Sequence, residues 1–177
     1  MNYATIKPYD IANGPGVRVS LFVSGCTHHC KECFNQETWD FKFGTPYTEA
    51  TTEDILQKLA PSYIKGLSLL GGEPFEPQNQ PQVLDLCRRV RAAYPDKTIW
   101  CYSGYTLDRE LLQPSRARCE TTDELLSLLD VLVDGEFVVA EKDLSLRFRG
   151  SRNQRIIDVP ATLQRGEIVL WSDEYDN

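Results

Sequence analysis

Between residues 17 and 24 the chain reads VRVSLFVS, with Val17, Val19, Leu21 and Val23 alternating against Arg18, Ser20 and Ser24. A period of two is that of a β-strand, and this one runs straight into Gly25 and Cys26. In TTEDILQKLAP (51–61) a threonine start, acids in the first turn, apolar Ile55, Leu56 and Leu59 and a proline stop predict a short helix. GLSLLGGEP (66–74), an apolar run closed by glycines, predicts a second strand. QVLDLCRRVRAAYP (82–95), apolar at 83, 86, 87, 90 and 94, has helical spacing. TIWCYSGY (98–105) is β-branched and aromatic, TTDELLSLL (121–129) offers a capping box from Thr121 to Glu124, and DVLVDGEF (130–137) predicts a fourth strand. IIDV (156–159) and EIVL (167–170) are weaker strand candidates, and WSDEYDN (171–177) predicts a solvated acidic end.

Strands alternating with helices imply parallel βα units, with both sheet faces covered or the sheet closed into a barrel. The four clear strands end in Ser24-Gly25-Cys26, Gly71-Gly72-Glu73, Ser103-Gly104-Tyr105 and Asp134-Gly135-Glu136, so each exit sets glycine beside a polar group. Parallel strands bring their carboxyl ends to one rim, where α/β folds bind ligands, and glycine lets the backbone approach a ligand closely. A single exit of this kind is ordinary loop punctuation, but four together point to a shared site. No repeat, low-complexity segment or domain boundary is visible, so one domain over residues 1–177 is expected.

Composition narrows the class. A formal net charge of -7 argues against a general nucleic-acid surface, because phosphate backbones are held by clustered Lys and Arg. No apolar run is long enough to span a membrane, and the start MNYATIKPYD has neither a basic nor an apolar leader region, so a soluble cytoplasmic protein is expected. The 6 cysteines suit metal or catalytic thiols better than a disulfide framework, which belongs to small secreted chains.

Three of them crowd into CTHHCKEC (26–33), as Cys26, Cys30 and Cys33. A structural zinc site wants four ligands, usually from two separated pairs, and only one cluster exists here, although His28 or His29 would complete it. An electron-transfer cubane also takes four thiolates. Three thiolates from one loop hold three corners and leave one iron open, and an open metal position can bind a substrate or cofactor directly. Cys87, on the apolar face of its helix, and Cys101, within a strand, read as core thiols; Cys119 lies in a loop.

The pairing of C-x3-C-x2-C after a first strand with GGEP (71–74) after a second resembles the radical S-adenosylmethionine (SAM) enzymes. More narrowly, NGPGVRVSLFVSGCTHHCKECFNQETW, LLGGEPF, VDGEF and FRGSRNQRIIDV resemble the activating component of anaerobic (class III) ribonucleotide reductase, from about residue 10 to 160. One departure is the aromatic that many radical SAM enzymes carry just before the third cysteine. Glu32 stands there, and Phe34 follows the cysteine instead.

The resemblance implies an α/β fold, a partial (β/α)6 barrel of mostly parallel strands. It implies that Cys26, Cys30 and Cys33 ligate a [4Fe-4S] cluster whose open iron takes the amino and carboxylate groups of SAM. One electron then cleaves the sulfonium, giving methionine and a 5'-deoxyadenosyl radical that removes hydrogen from a glycine of the large catalytic subunit of the reductase. A one-electron donor such as flavodoxin or ferredoxin is implied too, with no nucleic acid or membrane; monomer and homodimer both remain open. Gly71, Gly72 and Glu73 would lie beside the SAM amino group, and Ser103 is a candidate SAM hydroxyl contact or a turn residue. Asp134 and Glu136 would contact ribose or a cation, or be solvated. NGPG (13–16) with Arg18 would shape the cluster-side rim or merely turn into the strand. His28 and His29 would tune the cluster or face solvent.

RFRGSRNQR (147–155) gathers Arg147, Arg149, Arg152 and Arg155 in an otherwise acidic chain. Arginine forks suit carboxylates and carbonyls, so this segment, Arg152 and Asn153 above all, would hold SAM or the glycine-bearing loop of the reductase, with a solvated basic turn as the plain alternative. Three other functions stay open: an activase of a different glycyl-radical enzyme such as pyruvate formate-lyase, a short radical SAM enzyme acting on a small molecule, and a zinc-bound interaction module.

Overall fold

A computed structural model describes residues 1–173. Seven strands form a single sheet: β1 (Asn2–Asp10), β2 (Val17–Val23), β3 (Thr45–Pro46), β4 (Ile64–Gly71), β5 (Thr98–Ser103), β6 (Val131–Asp134) and β7 (Arg155–Asp158), in the order β3-β1-β2-β4-β5-β6-β7. Four helices accompany it: α1 (Glu49–Leu59), α2 (Gln80–Ala93), α3 (Thr122–Ser127) and α4 (Val159–Arg165). Among the described residues no helix is long and apolar enough to cross a membrane.

The expected partial (β/α)6 barrel is not what forms. Only β2, β4, β5 and β6 run parallel; β1 pairs antiparallel with β2 and β3, and β7 antiparallel with β6, which makes an open mixed sheet. The reason is local to the ends. The connection from β1 to β2 is a turn through residues 11–16, too short for a crossover helix, and a short link can join only antiparallel neighbours. β1 itself is hard to read in sequence because bulges at Tyr3/Thr5 and Lys7/Asp10 break its alternation, and Pro8 is tolerated only because the strand lies near a sheet edge.

The period-two pattern divides the sheet by residue parity. One register row, Leu21–Leu69–Cys101–Leu132–Ile157, crosses five strands and is wholly buried beneath the helices. Burying each large aliphatic side chain in such a row contributes roughly 1.5–3 kcal/mol. The row beside it, Ser20–Ser68–Trp100–Val131, points the other way. That face has no helix; Trp100, Val131 and Val133 instead pack against Phe148, Ile156 and Trp171. Trp171, expected to be solvated, meets Trp100 edge-on at 5.0 Å, while the last four residues of that acidic stretch lie outside the described residues.

The helices form close to where their patterns place them. α1 begins earlier than its Thr51 signal, because Thr48 caps it and exchanges capping-box hydrogen bonds with Thr51. α3 is short, and its Thr121 makes no side-chain cap bond, so that expected capping box is absent. IIDV becomes β7, whereas EIVL contributes only an isolated bridge from Leu170 to Ile157.

Candidate functional site

All four parallel strands leave the sheet on one edge, as their common direction requires, and the exits are tied together. The Val23 carbonyl accepts from Gly72 N at 2.8 Å and the Gly25 carbonyl from Glu73 N at 2.8 Å. Glycine is obligatory at this seam: a Cβ on Gly72 would fall 2.6 Å from the Gly25 carbonyl oxygen, and Gly71 has φ +108°.

A cavity of about 480 Å3 opens beside these exits. Its floor is the helix-free face of the sheet, with Phe22, Leu70, Tyr102 and Val133. Its polar rim holds Cys26, Cys30 and Cys33 together with Gly71, Gly72, Glu73 and Ser103. Three thiols and the glycine-rich exits, 38 to 77 residues further along the chain, therefore share one chamber.

The cysteine loop folds back on itself through residues that seldom adopt its geometry. His29 and Glu32 have φ of +54° and +57°, left-handed values unusual for side chains other than glycine. Cys33 N donates to the Cys30 carbonyl at 3.2 Å, and Asn35 N donates to Cys33 Sγ at 3.4 Å. Thr27 anchors the start of the loop, giving both its N–H and its hydroxyl to Glu76 Oε1. Burial pushes the Cys26 thiol up to about 12 and Cys30 upward as well, with nearby carboxylates adding to both. Such thiols stay protonated unless a metal supplies positive charge.

Glu73 is the best-served carboxylate in the chamber and is almost fully buried. Its Oε1 accepts from Ser103 Oγ at 3.0 Å, Gly104 N at 2.7 Å and His28 Nε2 at 2.7 Å, and its Oε2 accepts from Phe75 N at 2.9 Å. The other nitrogen of His28, Nδ1, meets Glu136 Oε1 at 2.8 Å, so both ring nitrogens donate to carboxylates. Burial alone would lower the imidazole pKa, but the bonds to Glu73 and then Glu136 outweigh it and raise it to about 9. His29 instead lies 4.4 Å from the Trp39 ring.

The remaining expected residues are spread more widely. Asp134 is buried outside the cavity lining, held by Arg155 through Nε at 2.9 Å and Nη2 at 2.6 Å and by Leu107 N at 2.7 Å. Arg152 is more than half exposed and stands 4.0 Å from Asp143. Phe148, Arg149, Gly150 and Gln154 of the same segment line the chamber instead. Asn153 ties the segment to the β6 exit, donating to the Glu136 carbonyl at 2.8 Å, and Gln154 donates to the Gly135 carbonyl at 3.1 Å. Arg18 does not reach the cysteine rim; it is buried at the start of β2, far down the strand from Cys26, while Ala12 and Asn13 before it do line the cavity. Phe34 and Phe137, 5.0 Å apart, add an aromatic wall to the chamber. The signal for His28 lay in its place between two thiols, but only the fold shows that its partners are 45 and 108 residues away.

By number and type the donors suit an iron-sulfur cluster, with three thiols on a glycine-rich rim and His28 committed to two carboxylates, although among the described residues no three such side chains are already gathered at metal-holding distance. Trp39, also in the wall, has a buried indole N–H without an acceptor among the described residues, as a wall built for a ligand allows. Comparison with known proteins agrees on the class, since a family model described as a 4Fe-4S single cluster domain matches residues 12–157. Relatives narrow it. The anaerobic ribonucleoside-triphosphate reductase-activating protein of Escherichia coli (strain K12) is 47% identical over 156 residues, covering 87% of this chain and 96% of that protein. Its counterpart in Vibrio cholerae is 47% identical over 158 residues, with 88% and 97% covered, and the one in Enterobacteria phage T4 is 40% identical over 158 residues, with 88% and 93% covered. The chain belongs to the family of anaerobic ribonucleoside-triphosphate reductase-activating proteins.

Proposed function

We propose that this protein is a radical SAM activase that installs a glycyl radical on the large catalytic subunit of anaerobic ribonucleotide reductase. The observation that carries the reading is the shared chamber, in which Cys26, Cys30 and Cys33 face Gly71, Gly72, Glu73 and Ser103 across one cavity. Cys26, Cys30 and Cys33 hold three corners of a [4Fe-4S] cluster, and the glycine exits and Glu73 receive the amino-acid end of SAM. Bound together, cluster and SAM supply one-electron chemistry that ends in removal of a hydrogen atom from the reductase glycine. A flavodoxin or ferredoxin in the cytoplasm is the expected electron donor.

The protein's own share is positioning and exclusion of water. Gly72 lets the β2 and β4 exits close on each other, because any side chain there would collide with the Gly25 carbonyl. Glu73 is fixed in place by Phe75 N, Ser103 Oγ and Gly104 N at the strand exits, so its carboxylate is oriented before a ligand arrives. Phe22, Leu70, Tyr102 and Val133 make an apolar floor, and Phe34 with Phe137 an aromatic wall, against which a nucleoside can pack. Asp134 acts at one remove by fixing Arg155, and the exposure of Arg152 supports a role toward the reductase rather than toward SAM.

A zinc-bound module would need His28 or His29 as its fourth ligand. Both nitrogens of His28 are already taken by Glu73 and Glu136. The test is anaerobic reconstitution followed by assay for about four irons and matching sulfide per chain. Electron paramagnetic resonance of the reduced protein should then shift on adding SAM, and a glycine-centred doublet should appear once the cognate reductase is present. A colourless, zinc-containing protein, or a cluster signal indifferent to SAM, would sink the reading.

A further inference from the structure

The oxygen that Glu73 turns to the chamber is already full. An oxygen of a carboxylate offers about two acceptor positions, and Oε1 takes three donors, from His28, Ser103 and Gly104, all of which line the chamber, while Oε2 accepts from Phe75 N, which does not. A ligand ammonium arriving at Oε1 from the chamber must therefore displace a donor. Two of the donors, Gly104 and Phe75, are backbone N–H groups, fixed by the chain's path out of β5 and β4. Ser103 Oγ is pinned as well, since it also accepts from Tyr105 N at 3.0 Å.

His28 differs from the other three. It sits on the cysteine loop rather than on a strand exit, and it has a second carboxylate, Glu136, which is half exposed. Its ring rests on Tyr105 at 4.3 Å and lies over Gly104, where a Cβ would fall 2.7 Å from the imidazole. Glycine at 104 thus clears the room that the ring occupies.

Resting on the reading of SAM as the ligand, we propose that His28 is a displaceable donor: it holds the amino-group seat on Glu73 and gives that seat up to the SAM ammonium, while keeping its bond to Glu136. The exchange replaces one N–H donor on Glu73 by another, so the buried carboxylate is never left short of a partner. It also links SAM entry to the loop that carries the thiols, because His28 lies between Cys26 and Cys30.

The contrary role is a permanent strut, in which His28 stays on Glu73 and helps orient it. Binding separates the two. Equilibrium dialysis of the anaerobically reconstituted full chain would compare SAM with methylthioadenosine, which keeps the nucleoside and lacks the amino-acid end, for wild type and His28→Ala. A displaceable donor predicts SAM binding about three- to tenfold tighter in the variant, the worth of one net hydrogen bond no longer broken, with methylthioadenosine unchanged. Weaker or unaltered SAM binding overturns the proposal, as does an equal change for both ligands. His28→Asn, too short to span both carboxylates, gives the same comparison should the alanine variant fold poorly. Failure of the wild type to bind SAM at all would instead remove the function proposed above, and this inference with it.

Discussion

The two faces of the sheet are built from alternate residues of the same strands, yet they obey different rules. On the helix side, Val19, Leu21 and Val23 of β2, Leu67 and Leu69 of β4, and Ile99 and Cys101 of β5 form an apolar layer that is wholly buried. On the other side, even-numbered residues include Arg18, Ser20, Ser68 and Tyr102. Among the described residues Arg18 makes no ion pair with a carboxylate; its buried guanidinium donates to Ser68 Oγ, Thr98 Oγ1 and the carbonyls of Pro15, Leu67 and Thr98, and lies 5.7 Å from the Trp100 ring centre. Packing on one face can be redundant, because apolar contacts are interchangeable within a volume. Polar contacts on the other cannot, because each buried donor needs its own acceptor. One parity therefore supplies most of the core, while the other supplies most of the chamber floor through Phe22, Leu70 and Tyr102.

Substitution at the rim and within the layer should separate those duties. Cys30→Ser is expected to have the largest functional effect: iron per chain falls from about four to near zero, and the glycine-centred signal disappears. Its far-UV circular dichroism should stay that of wild type, since Cys30 is only partly buried and lies outside the core. Leu69→Ala should do the reverse. Truncating this fully buried side chain costs about 2–5 kcal/mol in urea unfolding, while the protein that remains folded still takes up its full complement of iron. A Cys30→Ser chain that unfolds, or a Leu69→Ala chain that folds without iron, would break the division between the faces.

Arg18→Met sharpens the contrast from the polar side. Methionine keeps much of the apolar stem but leaves the Leu67 and Thr98 carbonyls and the Ser68 hydroxyl without their donor. Stranding buried acceptors costs about 1–3 kcal/mol each, partly offset because an arginine no longer has to be desolvated. Burial already holds the Arg18 pKa down at about 10. A net loss of about 2 kcal/mol in urea unfolding is expected, and a variant as stable as wild type would show that the polar face tolerates apolar filling.

Much of this parity is legible in VRVSLFVS, whose alternation becomes β2, whereas TIWCYSGY reads only as a β-branched and aromatic run because β5 is buried on both faces. The four glycine exits are legible too, since parallel neighbours must leave on one side. What cannot be read is closure. Alternating β and α units specify parallel neighbours in the middle of the sheet, but whether the end strands complete a barrel depends on links such as residues 11–16, where a short turn sends β1 antiparallel. Partner choice within a charged run is equally hidden. Arg152 and Arg155 look alike in sequence, yet only Arg155 lies in β7, opposite Asp134, and takes the buried carboxylate. The bridging role of His28 depends on contacts across three strand exits, which no local spacing encodes.

The smallest expected effect concerns Asp10, at the seam where the turn after β1 meets the chamber face. Burial pushes its carboxyl up, but donors from Ser20 at 2.6 Å, Asn13 at 2.7 Å and Ala12 N at 2.9 Å, with Lys7 nearby, outweigh it and leave the pKa below the ordinary 3.8. A folded pKa lower than the unfolded one means that the unfolded chain binds more protons on acidification, so this group stabilises the fold above the unfolded pKa and loses that contribution as pH falls through the folded value. Comparing wild type with Asp10→Asn by urea unfolding across the acid range should show a difference that is constant near neutrality and shrinks below about pH 4. A difference that stayed flat into strong acid would mean that the Ser20 and Asn13 contacts hold the turn without the charge, and that the chamber face depends on hydrogen-bond geometry alone.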